Sequence, residues 1–245
     1  MRAIVPASWP AMLGRLLLLG SIETAYALVT RLCFPRYFSG IELELYTTAA
    51  RLLTIPLYWS LFRPLIHRRS LQREAVRMPS LHFGIAALLL VPVVFGNDDR
   101  PGFTIRVVFA LTSFVVGLRE ELVYRAILQN LLEEKLGRFG AILLASTIFA
   151  LYHYGSESAL NYSLQRFLEL FVFGCIFGLI YRISGSLLLV AILHSILDLI
   201  YAVSPVVHRP LSRAGEVWAE VAVLLIFLGW ARKCRRHAAE QSLHQ

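Results

Sequence analysis

The sequence predicts an all-α fold threaded through a lipid bilayer, and three observations predict it. Hydrophobic residues make up 57% of the 245 and charged residues only 16%, against roughly 45–50% and about 25% in a soluble globular chain. Mean hydropathy is +0.63. The apolar residues gather into runs of about 20, the length that crosses a bilayer as a helix, with Pro and Gly between them. The same composition excludes intrinsic disorder and a collagen-like fibre. Cys33, Cys175 and Cys234 are odd in number and far apart, so no disulfide framework is implied.

About eight transmembrane helices are expected, over 11–34, 41–62, 81–95, 103–118, 139–152, 164–183, 186–203 and 217–231. The first contains Ala25-Tyr26-Ala27, a pattern similar to a signal-peptide cleavage site. Arg15 and Glu23 interrupt its apolar stretch, however, and the hydrophobic pattern continues through Leu28 and Val29, so an uncleaved helix is expected. Gly40 and Pro64 bracket the second run, and Pro79 and Gly96 the third. The fourth opens after Pro101 and is expected to continue past Leu118 as a polar-faced helix to about Leu136, because no Gly or Pro intervenes. Gly137 and Gly155 flank the fifth run, Gly185 separates the sixth from the seventh, and Pro205 and Pro210 precede the eighth.

Lys+Arg number 24 against 16 Asp+Glu, a net +8. The basic residues cluster at Arg63, Arg68, Arg69, Arg73 and Arg77 and at Arg232, Lys233, Arg235 and Arg236. Those positions suit cytoplasmic loops facing anionic lipid, and no nucleic-acid partner is expected. With eight spans, the basic excess places both termini in the cytoplasm. Lys135 and Lys233 are the only lysines, an arginine bias that suggests a GC-rich bacterial source and the inner membrane as its location.

Ionisable residues within the spans carry most of the information. A charged side chain at the bilayer centre costs about 2.5–3.5 kcal/mol on insertion scales, so it is expected to pair, line a wet cavity or do chemistry. In the fourth helix, Glu121 and Arg125 are four apart and share a face, while Glu120 points about 100° away. His153 closes the fifth span, and His194 and Asp198 share one face of the seventh. The other two aspartates, Asp98 and Asp99, sit in a loop. Each group alone has a plainer reading: carboxylates solvated among headgroups, a histidine at a helix dipole, a His–Asp clamp between helices. Together, six polar groups in three spans are cheapest if they converge on one cavity, since exposing all of them to lipid would cost on the order of ten kcal/mol or more.

Three patterns occur in order: Glu120-Glu121-x-x-x-Arg125, Phe149-x-x-x-His153 and His194-x-x-x-Asp198. They resemble the EExxxR, FxxxH and HxxxN/D motifs of the CPBP family of intramembrane glutamic proteases, also called the CAAX prenyl endopeptidase type 2 or ABI family. The resemblance covers roughly 103–203, with 1–102 contributing helices outside the motifs and 204–245 the last helix and a basic tail, all in one structural domain. It implies that Glu120 is the general base activating water, helped by His153, that Glu121 and Arg125 orient the site, and that His194 donates to the oxyanion. Asp198 departs from the commoner Asn and cannot donate unless protonated, so it is expected to orient His194 and fix its tautomer. No cofactor or metal is implied, and the expected partner is a membrane-tethered protein or peptide substrate. A prenylated substrate is not expected in a bacterial chain.

Two other readings start from the same residues. Glu120, His153, His194 and Asp198 could ligate a divalent metal, although no HExxH is present. A non-catalytic immunity or peptide-binding membrane protein would use the cavity without cutting. A proton-relay transporter would call for discontinuous spans in paired halves, which the sequence lacks.

Overall fold

The computed structural model describes residues 8–66, 76–95, 103–154, 164–203 and 213–243. Arg68, Arg69, Arg73, Asp98 and Asp99 lie outside the described residues, as do the breakers Gly96, Pro101, Gly155, Pro205 and Pro210. Every regular element among the described residues is helical: α1 (Trp9–Ala27), α2 (Gly40–Ile66), α3 (Pro79–Phe95), α4 (Phe103–Glu121), α5 (Asn130–Tyr154), α6 (Leu164–Ser184), α7 (Leu187–Val203) and α8 (Arg213–Leu243). Two π-helical stretches accompany them, Leu28–Cys33 continuing α1 and Leu122–Gln129 joining α4 to α5.

By length and composition two helices could cross a membrane, Trp9–Arg36 and Leu164–Ser184, and Pro79–Val94 and Leu187–Ile200 are shorter apolar helices. The expected eight crossings are not reached on that measure. Two of the other helices, α3 and α7, are apolar but short, and in the rest a hydropathy average charges every ionised group as though it faced lipid. In α2, Glu44 is ion-paired with Arg51 at 3.0 Å, and the Arg119–Glu121 run of α4 is paired throughout with groups inside the protein.

The core is built on α6, whose residues Glu169, Leu170 and 172–181 are buried. It packs between α5 and α8, while α7 lies along α4, α3 touches both α7 and α8, and α2 lies against α4 and the second π stretch. On the periphery, α1 directs Trp9, Leu13 and Leu17 outward.

The long fourth helix runs unbroken to Gly137, where φ is 68°, but it is not polar-faced. Residues 121–132 are buried, and several of their polar groups find partners within the protein. Gln129 Nε2 donates to the Gly178 carbonyl at 3.1 Å. Asn130 Nδ2 lies 3.0 Å from both the Leu65 carbonyl and the Tyr181 hydroxyl, tying the end of α2 to α6. Asn130→Ala removes both hydrogen bonds and is expected to destabilise the fold by about 1–3 kcal/mol, read as a lowered unfolding midpoint in detergent.

Two glycines place the site. Gly185, at φ +69°, ends α6 with its N–H on the Tyr181 carbonyl at 2.9 Å. Ser186 then caps α7, its Oγ accepting from the Leu189 N–H at 3.1 Å, so the chain reverses within two residues. Gly117 lets α4 and α7 touch: a Cβ there would lie 2.6 Å from Ser195 Oγ and 2.8 Å from the Ala191 carbonyl oxygen. Gly117→Ala is therefore expected to cost about 1–3 kcal/mol as the helices separate. Because the contact lies one turn from Glu121 and beside His194, activity is expected to fall further than the unfolding midpoint alone would explain.

Candidate active site

Three consecutive ionisable residues close α4, about 100° apart around the helix axis, so they face three environments. Glu121 points inward. Its Oε2 accepts from Arg125 Nε at 3.1 Å, with both side chains fully buried, as the i,i+4 spacing predicts. Its Oε1 lies 2.8 Å from His194 Nδ1, which joins α4 to α7. Glu120 turns toward the other side of the same imidazole. Its Oε2 stands 3.8 Å from His194 Nε2 and 3.9 Å from His153 Nε2. Asp198 Oδ2 lies 3.7 Å from His194 Nε2. All six residues singled out in the sequence thus belong to one cluster.

The hydrogen bonds fix where the protons sit. His153 Nδ1 is 2.9 Å from the Phe149 carbonyl, and a carbonyl only accepts, so Nδ1 carries the hydrogen and Nε2 faces Glu120. In the same way His194 Nδ1 donates to the Glu121 carboxylate. Asp198 was expected to fix that tautomer, and the structure corrects this: Glu121 holds Nδ1, while Asp198 approaches Nε2 from beyond hydrogen-bonding distance. Sequence spacing gave His194 and Asp198 a shared face but could not show that Glu121, 73 residues upstream, comes closer.

Exposure divides the cluster. Glu121 and Arg125 are sealed at 0%, so neither reaches a bound molecule. Glu120 at 13%, His153 at 20% and Asp198 at 24% remain partly accessible, and His194 is buried with 9% of its side chain exposed. Aromatic rings set the imidazoles: the Phe149 ring lies 4.5 Å from that of His153 and 6.3 Å from that of His194. Phe177 stacks on His194 at 5.2 Å, with 16° between planes. Among the described residues, no group of three or more His, Cys, Asp or Glu is arranged to hold a metal ion.

Residues 102–200 match the family model described as type II CAAX prenyl endopeptidase Rce1-like. Over that stretch, 99 of the 245 residues, the chain is similar to this family. That match agrees with the resemblance drawn from the three motifs. The match encloses all six clustered residues and leaves α1, α2, α3 and α8 outside it. No curated protein matches the chain.

Sequence reasoning missed two neighbours of the cluster. Phe177 gave no signal, since a Phe in an apolar helix reads as core. Arg119 did give one: it is a third charge beside Glu120 and Glu121, and it too needed a partner. That partner is Glu23 of α1, 2.7 Å from Arg119 Nη2, and no local spacing could identify it from 96 residues away.

Proposed function

We propose that the chain is a multi-pass intramembrane endopeptidase that hydrolyses a peptide bond in a membrane-associated protein or peptide, using water activated by Glu120. The observation that carries this is the convergence of the Glu120 carboxylate on Nε2 of both histidines at 3.8–3.9 Å. Gaps of that size admit a water oxygen at about 2.8 Å from each end. Glu120, assisted by His153 Nε2, takes a proton as the water oxygen attacks the substrate carbonyl carbon. The carbonyl oxygen becomes an oxyanion and accepts from His194 Nε2–H. That role needs a doubly protonated His194, and the carboxylates of Glu121 at Nδ1 and Asp198 toward Nε2 match an imidazolium in charge. Collapse of the tetrahedral species breaks the C–N bond, and the proton held by Glu120 passes to the leaving amine. Glu121 and Arg125 act as positioning residues.

The family's membrane setting, the outward apolar side chains of α1 and the ion pairs inside the bundle support about eight crossings around a polar cavity, and the placement of the basic residues supports cytoplasmic termini. The substrate class is a membrane-tethered tail or peptide. The test compares the lengths of membrane proteins in cells carrying the native gene, lacking it, or carrying the Glu120→Gln form. Full-length precursors accumulating in the last two support the proposal. A phenotype that the Gln form restores without any change in protein length would favour a binding protein, and cleavage abolished by exhaustive chelation would favour a metal-dependent hydrolase.

A further inference from the structure

Outside the matched residues, α1 reaches toward the two accessible groups on which the proposed chemistry depends. Among the described residues its backbone does not run closely along any other helix, and long polar side chains bridge the gap. Glu23 accepts from Arg119 Nη2 at 2.7 Å and from the Tyr58 hydroxyl. Arg119 is 1% exposed, its guanidinium lies 3.7 Å over the Tyr26 ring, and the next residue along the chain is Glu120. Two turns further on, Arg31 Nη1 donates to the Tyr152 carbonyl at 3.0 Å, with its guanidinium 4.0 Å over the Tyr152 ring. That carbonyl lies in the last turn of α5, where helical oxygens lack intrahelical partners, and it shares its peptide unit with His153.

The π turn makes this double reach possible. In a regular α-helix, residues eight apart, as Glu23 and Arg31 are, point about 80° away from each other. The i→i+5 turn over Leu28–Cys33 takes up one extra residue, which leaves the pair about two full turns apart and on one face. π stretches of this kind are frequent at functional sites.

We propose that Glu23 and Arg31 are positioning residues, and that α1 is a splint setting the Glu120–His153 separation through Arg119 on one side and Tyr152 on the other. This rests on the proposed roles of Glu120 and His153, and misplacing reacting groups by about 1 Å can cost 10²-fold in rate. The alternative is that the two contacts merely attach a peripheral helix.

The test uses the full-length protein in lipid nanodiscs, labelled with ¹⁵N-histidine. His153 and His194 signals are assigned from His153→Gln and His194→Gln forms. In Glu23→Gln and in Arg31→Met, the His153 side-chain resonances are expected to shift or broaden. In Arg31→Met those of His194, held by Glu121 and Phe177, are expected to stay. With a single-span model peptide bearing a fluorophore and quencher as probe, kcat is expected to fall about 10- to 100-fold, with KM within about 2-fold. Arg31→Lys, which still donates to the Tyr152 carbonyl, is expected to recover most of the loss. Unchanged His153 resonances in both variants, or the collapse of both histidines' signals together, would overturn the splint. Failure of the native protein to cut the probe would count against the proposed chemistry alone, because the resonances decide the positioning role without turnover.

Discussion

Glu120→Gln is expected to lower the rate of peptide cleavage by about 10²- to 10⁴-fold, the range associated with loss of a general base, while leaving the folded protein nearly intact. The two halves of that expectation have separate structural causes. Glutamine keeps the size and planarity of the side chain but cannot take a proton from water. Stability is spared because Glu120 Oε2 meets its histidines only across 3.8–3.9 Å, beyond direct hydrogen bonding, and its side chain is 13% exposed. Initial rates in vesicles and an unfolding midpoint measured on the same preparation check both. A rate equal to that of the native protein would remove Glu120 from the mechanism. A midpoint falling as steeply as the rate would instead place it among the structural carboxylates, beside Glu121.

That contrast between neighbours shows how far the sequence could be read. The helical class and the cluster were both legible, because ionisable groups in apolar helices stand out against their surroundings and the i,i+4 rule pairs Glu121 with Arg125. What could not be read was anything decided by contact between distant helices. The partner of His194 Nδ1 could be seen only once Gly117 had brought α4 against α7. Within the polar face expected between Leu118 and Leu136, residues 121–132 turned out to be core, and the acceptors for the Gln129 and Asn130 amide N–H groups come from α2 and α6. Nor does any residue pattern announce a π turn. Leu28–Cys33 and Leu122–Gln129 read as ordinary helix, and the extra residue each takes up changes which side chains share a face.

Arg125→Met is expected to destabilise the protein by about 3–5 kcal/mol, the cost of leaving one member of a buried ion pair without its partner. Glu121 would then be a carboxylate at 0% exposure with His194 Nδ1 as its remaining hydrogen-bond partner among the contacts described. The loss would arise from the orphaned charge rather than from packing, because methionine fills much of the arginine stem and can still lie against the Phe149 ring, over which the guanidinium sits at 5.4 Å. The double replacement Glu121→Gln/Arg125→Met removes both charges together and is expected to recover most of the stability, since a neutral pair of similar shape avoids the desolvation of two ions. Turnover is not expected to recover with it. Without the Glu121 carboxylate at Nδ1, an imidazolium at His194 loses its closest counter-charge, and the proposed donor to the oxyanion is weakened. Unfolding midpoints and cleavage rates for the two single forms and the double form complete the cycle. If turnover returned in step with stability, the pair would be an internal brace and His194 would owe nothing to Glu121. Stability restored with turnover still low would make Glu121 the residue that couples the buried ion pair to the proposed chemistry.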